Sequence, residues 1–344
     1  MADFHRLTID WYRQNKRDLP WRNTKNPYKI WLSEIILQQT RVDQGMNYYL
    51  KFIRNYPTIF DLANADEQEI LNDWQGLGYY SRARNLHFTA KYIASELKGI
   101  FPNQFLEIIK LKGIGEYTAS AIASFSFDLP YAVLDGNVYR VLSRVFDIAT
   151  PIDSIEGKKE FQNLANELID KDNPAIYNQS IMEFGALLCK PANPDCEKCP
   201  LSSKCLSLAN NTINERPLKE KKTKVRNRYF NFLIFKENEQ ILIEKRISKD
   251  IWQHLYQFPL IETEKELNNE DITSFFQEKI GLTPHDLSKP ITHILSHQRI
   301  NTVFYFFDQY PNQKDENWIS ISKSKIDNYP LPRLIDRFLE EQNL

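Results

Sequence analysis

Cys189, Cys196, Cys199 and Cys205 are the four cysteines of this 344-residue chain, and all lie in the stretch CKPANPDCEKCPLSSKC. The spacing C-x6-C-x2-C-x5-C, bent by Pro191, Pro194 and Pro200, supplies one tetrahedral set of thiolates. Such sets hold zinc or an iron–sulfur cluster. A zinc ribbon uses two close C-x2-C knuckles, whereas here one pair is that close. The spacing therefore favours a cluster over zinc, and either over a pair of disulfides.

Three other stretches carry groups able to act on a ligand. In Leu111-Lys112-Gly113-Ile114-Gly115, Gly113 and Gly115 permit a tight turn, and the helix expected after it turns its free N–H groups outward, a site for phosphate. Alone, this pattern also reads as a plain helix–helix turn. Val133-Leu134-Asp135-Gly136-Asn137-Val138 puts an acid directly before a helix, where Asp135 serves as an N-cap whether or not it does chemistry. In Trp31-Leu32-Ser33-Glu34-Ile35-Ile36-Leu37-Gln38-Gln39-Thr40, helical spacing sets Glu34 on one face with Ile30, Trp31, Ile35 and Gln38. Burying a carboxylate on such a face is costly and raises its pKa.

The elements that must position these groups change character once along the chain. From Asp3 to about Asn210 apolar residues recur at helical intervals, as in 81–98 and 156–170. The charged stretch 214–228, NERPLKEKKTKVRNR, reads as an interdomain linker. Beyond it, 229–235, 240–246 and 302–308 are aromatic and β-branched, hence strands, with helices expected at 271–280 and 332–341. The expected fold is an all-helical, two-lobed domain over 1–213, carrying the cysteine loop, joined to a small α/β domain over 229–344. Net charge is −1, divided as +2 over residues 1–224 and −3 over the remainder, so any nucleic acid must meet a local basic face. No apolar run approaches the ~18 residues that span a bilayer. The N-terminal MADFHRLTIDWYRQNKRD lacks a signal-peptide core, and the expected location is the cytoplasm.

Taken together, these motifs resemble the endonuclease III superfamily of DNA base-excision glycosylases, whose [4Fe–4S] loop has the same cysteine spacing and follows a helix–hairpin–helix. The string S-E-x-x-L-Q-Q-T around Glu34 resembles the adenine-specific, A/G-mismatch branch (MutY type). That resemblance implies Glu34 as general acid, Asp135 as the second catalytic carboxylate, and Gly113 and Gly115 on a DNA phosphate. It implies an adenine pocket lined by Trp21, Arg22 and Glu183. Tyr79, in Gly76-Leu77-Gly78-Tyr79-Tyr80-Ser81-Arg82-Ala83-Arg84, corresponds to a wedge into DNA, with Gln39, Thr40 and Leu77 beside it. Tyr117 stands where lyase-competent relatives carry the Schiff-base Lys. The second domain is similar to the family's Nudix-like module that reads 8-oxoguanine, lacks the full metal-binding Glu run, and offers Ser296 and His297. Two positions depart from the family: Lys112 replaces a Pro, and Leu295 replaces a Phe.

The implied protein is a monomeric, bacterial, nucleoid-associated enzyme. It carries a [4Fe–4S] cluster and hydrolyses adenine from double-stranded DNA at A:8-oxoguanine or A:G mispairs, without strong lyase activity. Its rivals are a bifunctional glycosylase/lyase, disfavoured by Tyr117, and a non-enzymatic iron–sulfur DNA-binding protein, which has no use for Glu34 paired with Asp135.

Overall fold

The structure, a computed structural model, describes residues 2–220, 225–268 and 270–342. It forms two compact units, Met1–Asn64 with Asn85–Lys221, and Ala65–Arg84 with Lys222–Leu344. Residues 65–84 thus belong to the second unit, although chain order sets them among the helices of the first. Among the described residues no helix is long and apolar enough to cross a membrane.

In chain order the helices are α1 (Ala2–Asn15), α2 (Pro27–Ile36), α3 (Val42–Asn55), α4 (Ile59–Asn64), α5 (Glu67–Asp73), α6 (Ser81–Ser95) and α7 (Phe105–Ile108). There follow α8 (Glu116–Phe127), α9 (Gly136–Val145), α10 (Ile155–Leu168), α11 (Pro174–Leu187) and α12 (Leu206–Ala209). Helix α2 starts because Asn26 accepts from the N–H groups of Tyr28 and Lys29 while Pro27 occupies the first turn. All its residues except Pro27 and Lys29 are buried, the mark of a helix enclosed by its neighbours. It packs on α8, whose Thr118–Ser126 are buried and mostly Ala or Ser, so the two backbones approach closely. Phe4 and Ile9 of α1 join Val141, Leu142, Phe161, Ile181 and Phe184 in one core.

The second unit adds strands β1 (Arg226–Glu237), β2 (Gln240–Lys245), β3 (Tyr256–Gln257), β4 (Leu260–Thr263) and β5 (Asp286–Leu287). After these come β6 (Ile291–Ile294), β7 (Gln298–Phe307) and β8 (Trp318–Ser322), with α13 (Ile272–Ile280) and α14 (Arg333–Gln342). The sheet runs β3-β2-β1-β7-β5, with β4 on β1, β6 on β7 and β8 on β2. Parallel pairing of β1 with β7 sets Phe232 opposite Phe304 and Leu233 opposite Tyr305. Alternation then sends Leu233, Phe235, Tyr305 and Phe307 towards Phe276 of α13, while Phe304 stacks on Phe338 of α14 at 3.6 Å. Helices on both faces explain the run YFNFLIF, apolar but for Asn231.

Part of the stretch read as a linker is strand. β1 begins at Arg226, and the Arg228 guanidinium is neutralised by Asp250 and Glu262, which lets a charged residue enter the sheet. Residues 221–224 of that stretch lie outside the described residues.

Candidate active site

Three N-terminal or inward-facing positions converge on one cavity of about 280 Å³ in the first unit. Glu34 enters from α2, Tyr117 from the first turn of α8, and Asp135 from the N-cap of α9. Trp21, Arg22, Thr40, Asn137 and Glu183 complete much of the wall. Glu34, Tyr117, Asp135, Trp21, Arg22, Thr40 and Glu183 are therefore brought together. Gln39 is not on this wall; α2 stops at Ile36, so Gln38 and Gln39 lie beyond the helix, and Gln39 is exposed with a left-handed φ of 55°. A larger cleft of about 810 Å³, lined by Phe88, Tyr92, Ile100, Lys110 and Lys112, contains no buried carboxylate. The buried carboxyls lie in the smaller cavity.

The carboxyls in that cavity are driven in opposite directions. Glu34 is 6% exposed, and its Oε2 accepts a 2.8 Å hydrogen bond from the Tyr117 hydroxyl. Burial pushes it up to about 7, against the Tyr117 bond and with a further push from Asp135. Burial acts on Glu183 too, but Arg17 and Arg22 each grip both its oxygens, at 2.6–2.9 Å, and hold it down at about 2. Asp135 is raised by burial, while the Val138 N–H and the Asn137 amide, each at 2.7 Å, favour its anion. Burial and the adjacent Glu34 and Asp135 carboxyls raise the Tyr117 phenol well above its ordinary value. Glu34 can carry a proton near neutrality, whereas Glu183 is a fixed counter-charge orienting two arginines.

Asp135 performs the cap expected of it, so its capping and its place in the cavity coexist. Gly113 has φ 83°, and a Cβ there would stand 2.7 Å from Asn85 Cβ; the hairpin needs glycine at that point. Gly115 has ordinary φ and open space around it, at the mouth of α8.

The four thiols are free and line one small cavity with Arg144, Phe184, Leu188 and Leu201. Burial foremost, together with the neighbouring thiols, pushes Cys199 up to about 12 and raises Cys205 and Cys196. A bound cation favours the thiolates that such a setting otherwise suppresses, so the donor set fits a thiolate-held group. Buried Arg144 donates to the carbonyls of Lys190, Pro191, Ile213 and Arg216, tying the loop to α9. Among the described residues no three His, Cys, Asp or Glu side chains converge tightly enough to grip a single ion.

Leu77, Tyr79, Ser296 and His297 meet in the second unit, where the Tyr79 and Ser296 hydroxyls are 2.7 Å apart and Ser296 Oγ is 3.3 Å from His297 Nδ1. Gln39 and Thr40 belong to the first unit. Sequence reasoning missed Arg17 and Asn137. Arg17 lies four residues before Trp21, and Asn137 inside the Asp135 motif, yet neither residue type signals a partner without the fold.

Residues 32–171 match the model of the HhH-GPD superfamily base excision DNA repair proteins, and residues 231–341 that of the NUDIX domain. The adenine DNA glycosylase of Buchnera aphidicola subsp. Baizongia pistaciae is 36% identical over 342 residues, covering 96% of this chain and 94% of the relative. The chain belongs to the adenine DNA glycosylases. The Arabidopsis thaliana adenine DNA glycosylase is 39% identical over 294 residues, 74% of this chain and 46% of the relative. A thermostable thymine-DNA glycosylase superposes with a TM-score of 0.57 and 29% identity, over 61% of this chain and 96% of its own. An endonuclease III–DNA complex, at TM-score 0.53 and 22% identity, shares the fold of the same part. The enzyme is thus a base-excision repair glycosylase, a hydrolase of N-glycosidic bonds that acts on DNA, with a helix–hairpin–helix unit and a Nudix-like α/β unit.

Proposed function

We propose that the enzyme removes adenine mispaired with 8-oxoguanine or guanine, and that it does so without a lyase step. The observation that carries the chemistry is Glu34, a buried carboxyl raised to about 7 in the cavity that also holds Asp135. A base inside a duplex is out of reach, so the adenine is flipped into this cavity, as is general for glycosylases. Adenine leaves poorly as an anion. Glu34 transfers its proton to the base as the bond from base nitrogen to sugar C1′ breaks, and the bonding electrons depart with the neutral adenine. The Asp135 carboxylate faces the oxocarbenium-like sugar left behind, much as a carboxylate does in O-glycoside hydrolysis. Water then adds to C1′ and returns its proton to Glu34. Trp21, Arg22 and Glu183 line the adenine pocket. The backbone at Gly113 and Gly115 donates N–H groups to a DNA phosphate, Tyr79 and Leu77 wedge into DNA, and Gln39 and Thr40 are further DNA contacts. Ser296 and His297 read the opposite base.

Tyr117 supports the monofunctional reading, because a phenol hydrogen-bonded to Glu34 cannot form a Schiff base. On a labelled A:8-oxoguanine duplex the enzyme should leave an intact abasic strand that breaks after mild alkali. Tyr117→Lys should gain borohydride-trappable adducts. Strand cleavage by the wild type as fast as base release overturns the reading.

Cys189, Cys196, Cys199 and Cys205 would hold a [4Fe–4S] cluster, which when bound cross-links the loop and leaves the reaction to the residues above. Anaerobically purified protein should contain about four irons and four sulfides per chain. Cys199→Ser should lose most soluble protein. Stoichiometric zinc without sulfide, in cells supplied with iron, rules the cluster out.

A further inference from the structure

We infer that residues 65–84 are a working part of the opposite-base reader, and that Arg84 is a positioning residue setting Tyr79 against Ser296. The inference rests on the opposite-base reading above and extends it to Arg84, to which that reading gives no role. Tyr79 has a left-handed φ of 48°, just after Gly76 at 95° and Gly78 at 73°. A tyrosine holds that conformation only where its surroundings over-determine it, and such sites concentrate where a ligand is met. From within, Trp74 Nε1 donates to Gly78 O at 3.1 Å, and Arg82 to Leu77 O and Gly78 O at 3.3 and 3.1 Å.

The rest of the support comes from elsewhere in the second unit. Arg84 Nη1 donates to Gln253 O at 2.6 Å, and Glu67 Oε1 meets His254 Nδ1 at 2.6 Å. Gln68 and Asn72 both donate to Asn328 O at 2.9 Å, and Gln75 Oε1 accepts from the Leu331 N–H at 3.0 Å. Gln253 and His254 follow Trp252, and Trp252 and His254 are themselves left-handed, with φ 59° and 68°. That loop is pinned by Arg246 Nε on Ile251 O and by the Asp250 carboxylate between Arg228 and Arg246. Arg84 therefore ties the strained Tyr79 loop to a second strained loop. Both wall a cleft of about 420 Å³ with Leu295, Ser296 and His297. The spacing of the two hydroxyls across that cleft decides which edge of a base both can reach. Cutting the chain near residue 225 would remove these anchors along with Ser296, so truncation conflates the two effects.

The test uses the full chain and single-turnover base release from duplexes pairing adenine with 8-oxoguanine or with guanine. Arg84→Ala should lower the ratio of the two rates roughly tenfold. The rate on A:G should stay within about twofold of wild type. Arg84→Lys, which keeps a donor for Gln253 O, should recover part of the ratio. In a cycle with Ser296→Ala the effects on the ratio should be non-additive, since both act through one hydroxyl pair. Equal slowing on both duplexes, an unchanged ratio or full additivity overturns the inference. Should Arg84→Ala not fold, Gln68→Ala/Asn72→Ala, at exposed hydrogen bonds to Asn328 O, should lower the ratio in the same way, and an unchanged ratio in that variant overturns the inference equally. A wild type with no preference for 8-oxoguanine sinks the opposite-base reading and this inference with it. A discriminating wild type with an equally discriminating variant sinks the inference alone.

Discussion

Glu34→Gln should bind mispaired DNA as the wild type does, while base release falls by at least ~10²–10⁴-fold, the ordinary worth of a general acid. Glutamine keeps the shape and can still accept from Tyr117, so the change removes the transferable proton and little else. The pH profile separates this cause from others. Glu34 titrates at about 7, so its acid form is present below that pH and is lost above it. Single-turnover release by the wild type should be flat below pH 7 and fall about tenfold per unit above it. The variant should show no such limb.

Stability should move the other way. The folded pKa of Glu34 lies above its ordinary 4.5, so its contribution is fully present below about 4.5 and lost as pH rises through about 7. The loss amounts to at most about 3 kcal/mol for a shift of this size. Glu34→Gln should therefore gain on the wild type in melting temperature between pH 5 and pH 8, measured by calorimetry in matched buffers. A variant excising at near wild-type rates shows that another group gives up the proton.

Asp135→Asn should slow base release by ~10²–10³-fold, the loss expected when a preorganised charge facing the transition state is removed. Asp135 also caps α9 through Val138 N–H at 2.7 Å, so slowing by itself is ambiguous. Asparagine caps as well as aspartate does, and its melting temperature should stay close to wild type. Asp135→Ala loses the cap and should cost a further ~1 kcal/mol of stability. If the two variants are equally slow while only the alanine form is less stable, the charge and not the cap is catalytic. An asparagine variant within tenfold of wild type refutes that role.

The amino-acid sequence by itself determined much of this protein. Spacing alone grouped the cysteines, and the apolar company of Glu34 implied both its burial and its raised pKa. Aromatic and β-branched runs located β1, β2 and β7 to within a few residues. These signals are local: each depends on residues a few positions apart, where periodicity and chemistry leave their mark. The tertiary structure alone decided what depends on distant partners. Arg17 closes on Glu183 across 166 positions and turns a second buried carboxyl into a permanent anion, the reverse of Glu34. Residues 65–84 belong with the C-terminal unit because hydrogen bonds to residues 253, 254, 328 and 331 claim them, against chain order. Arg226 and Arg228, charged like a linker, enter a strand because Arg228 meets Asp250 and Glu262 there. A charge reads as exposed until its counter-charge is known, and in each case that partner came from far along the chain.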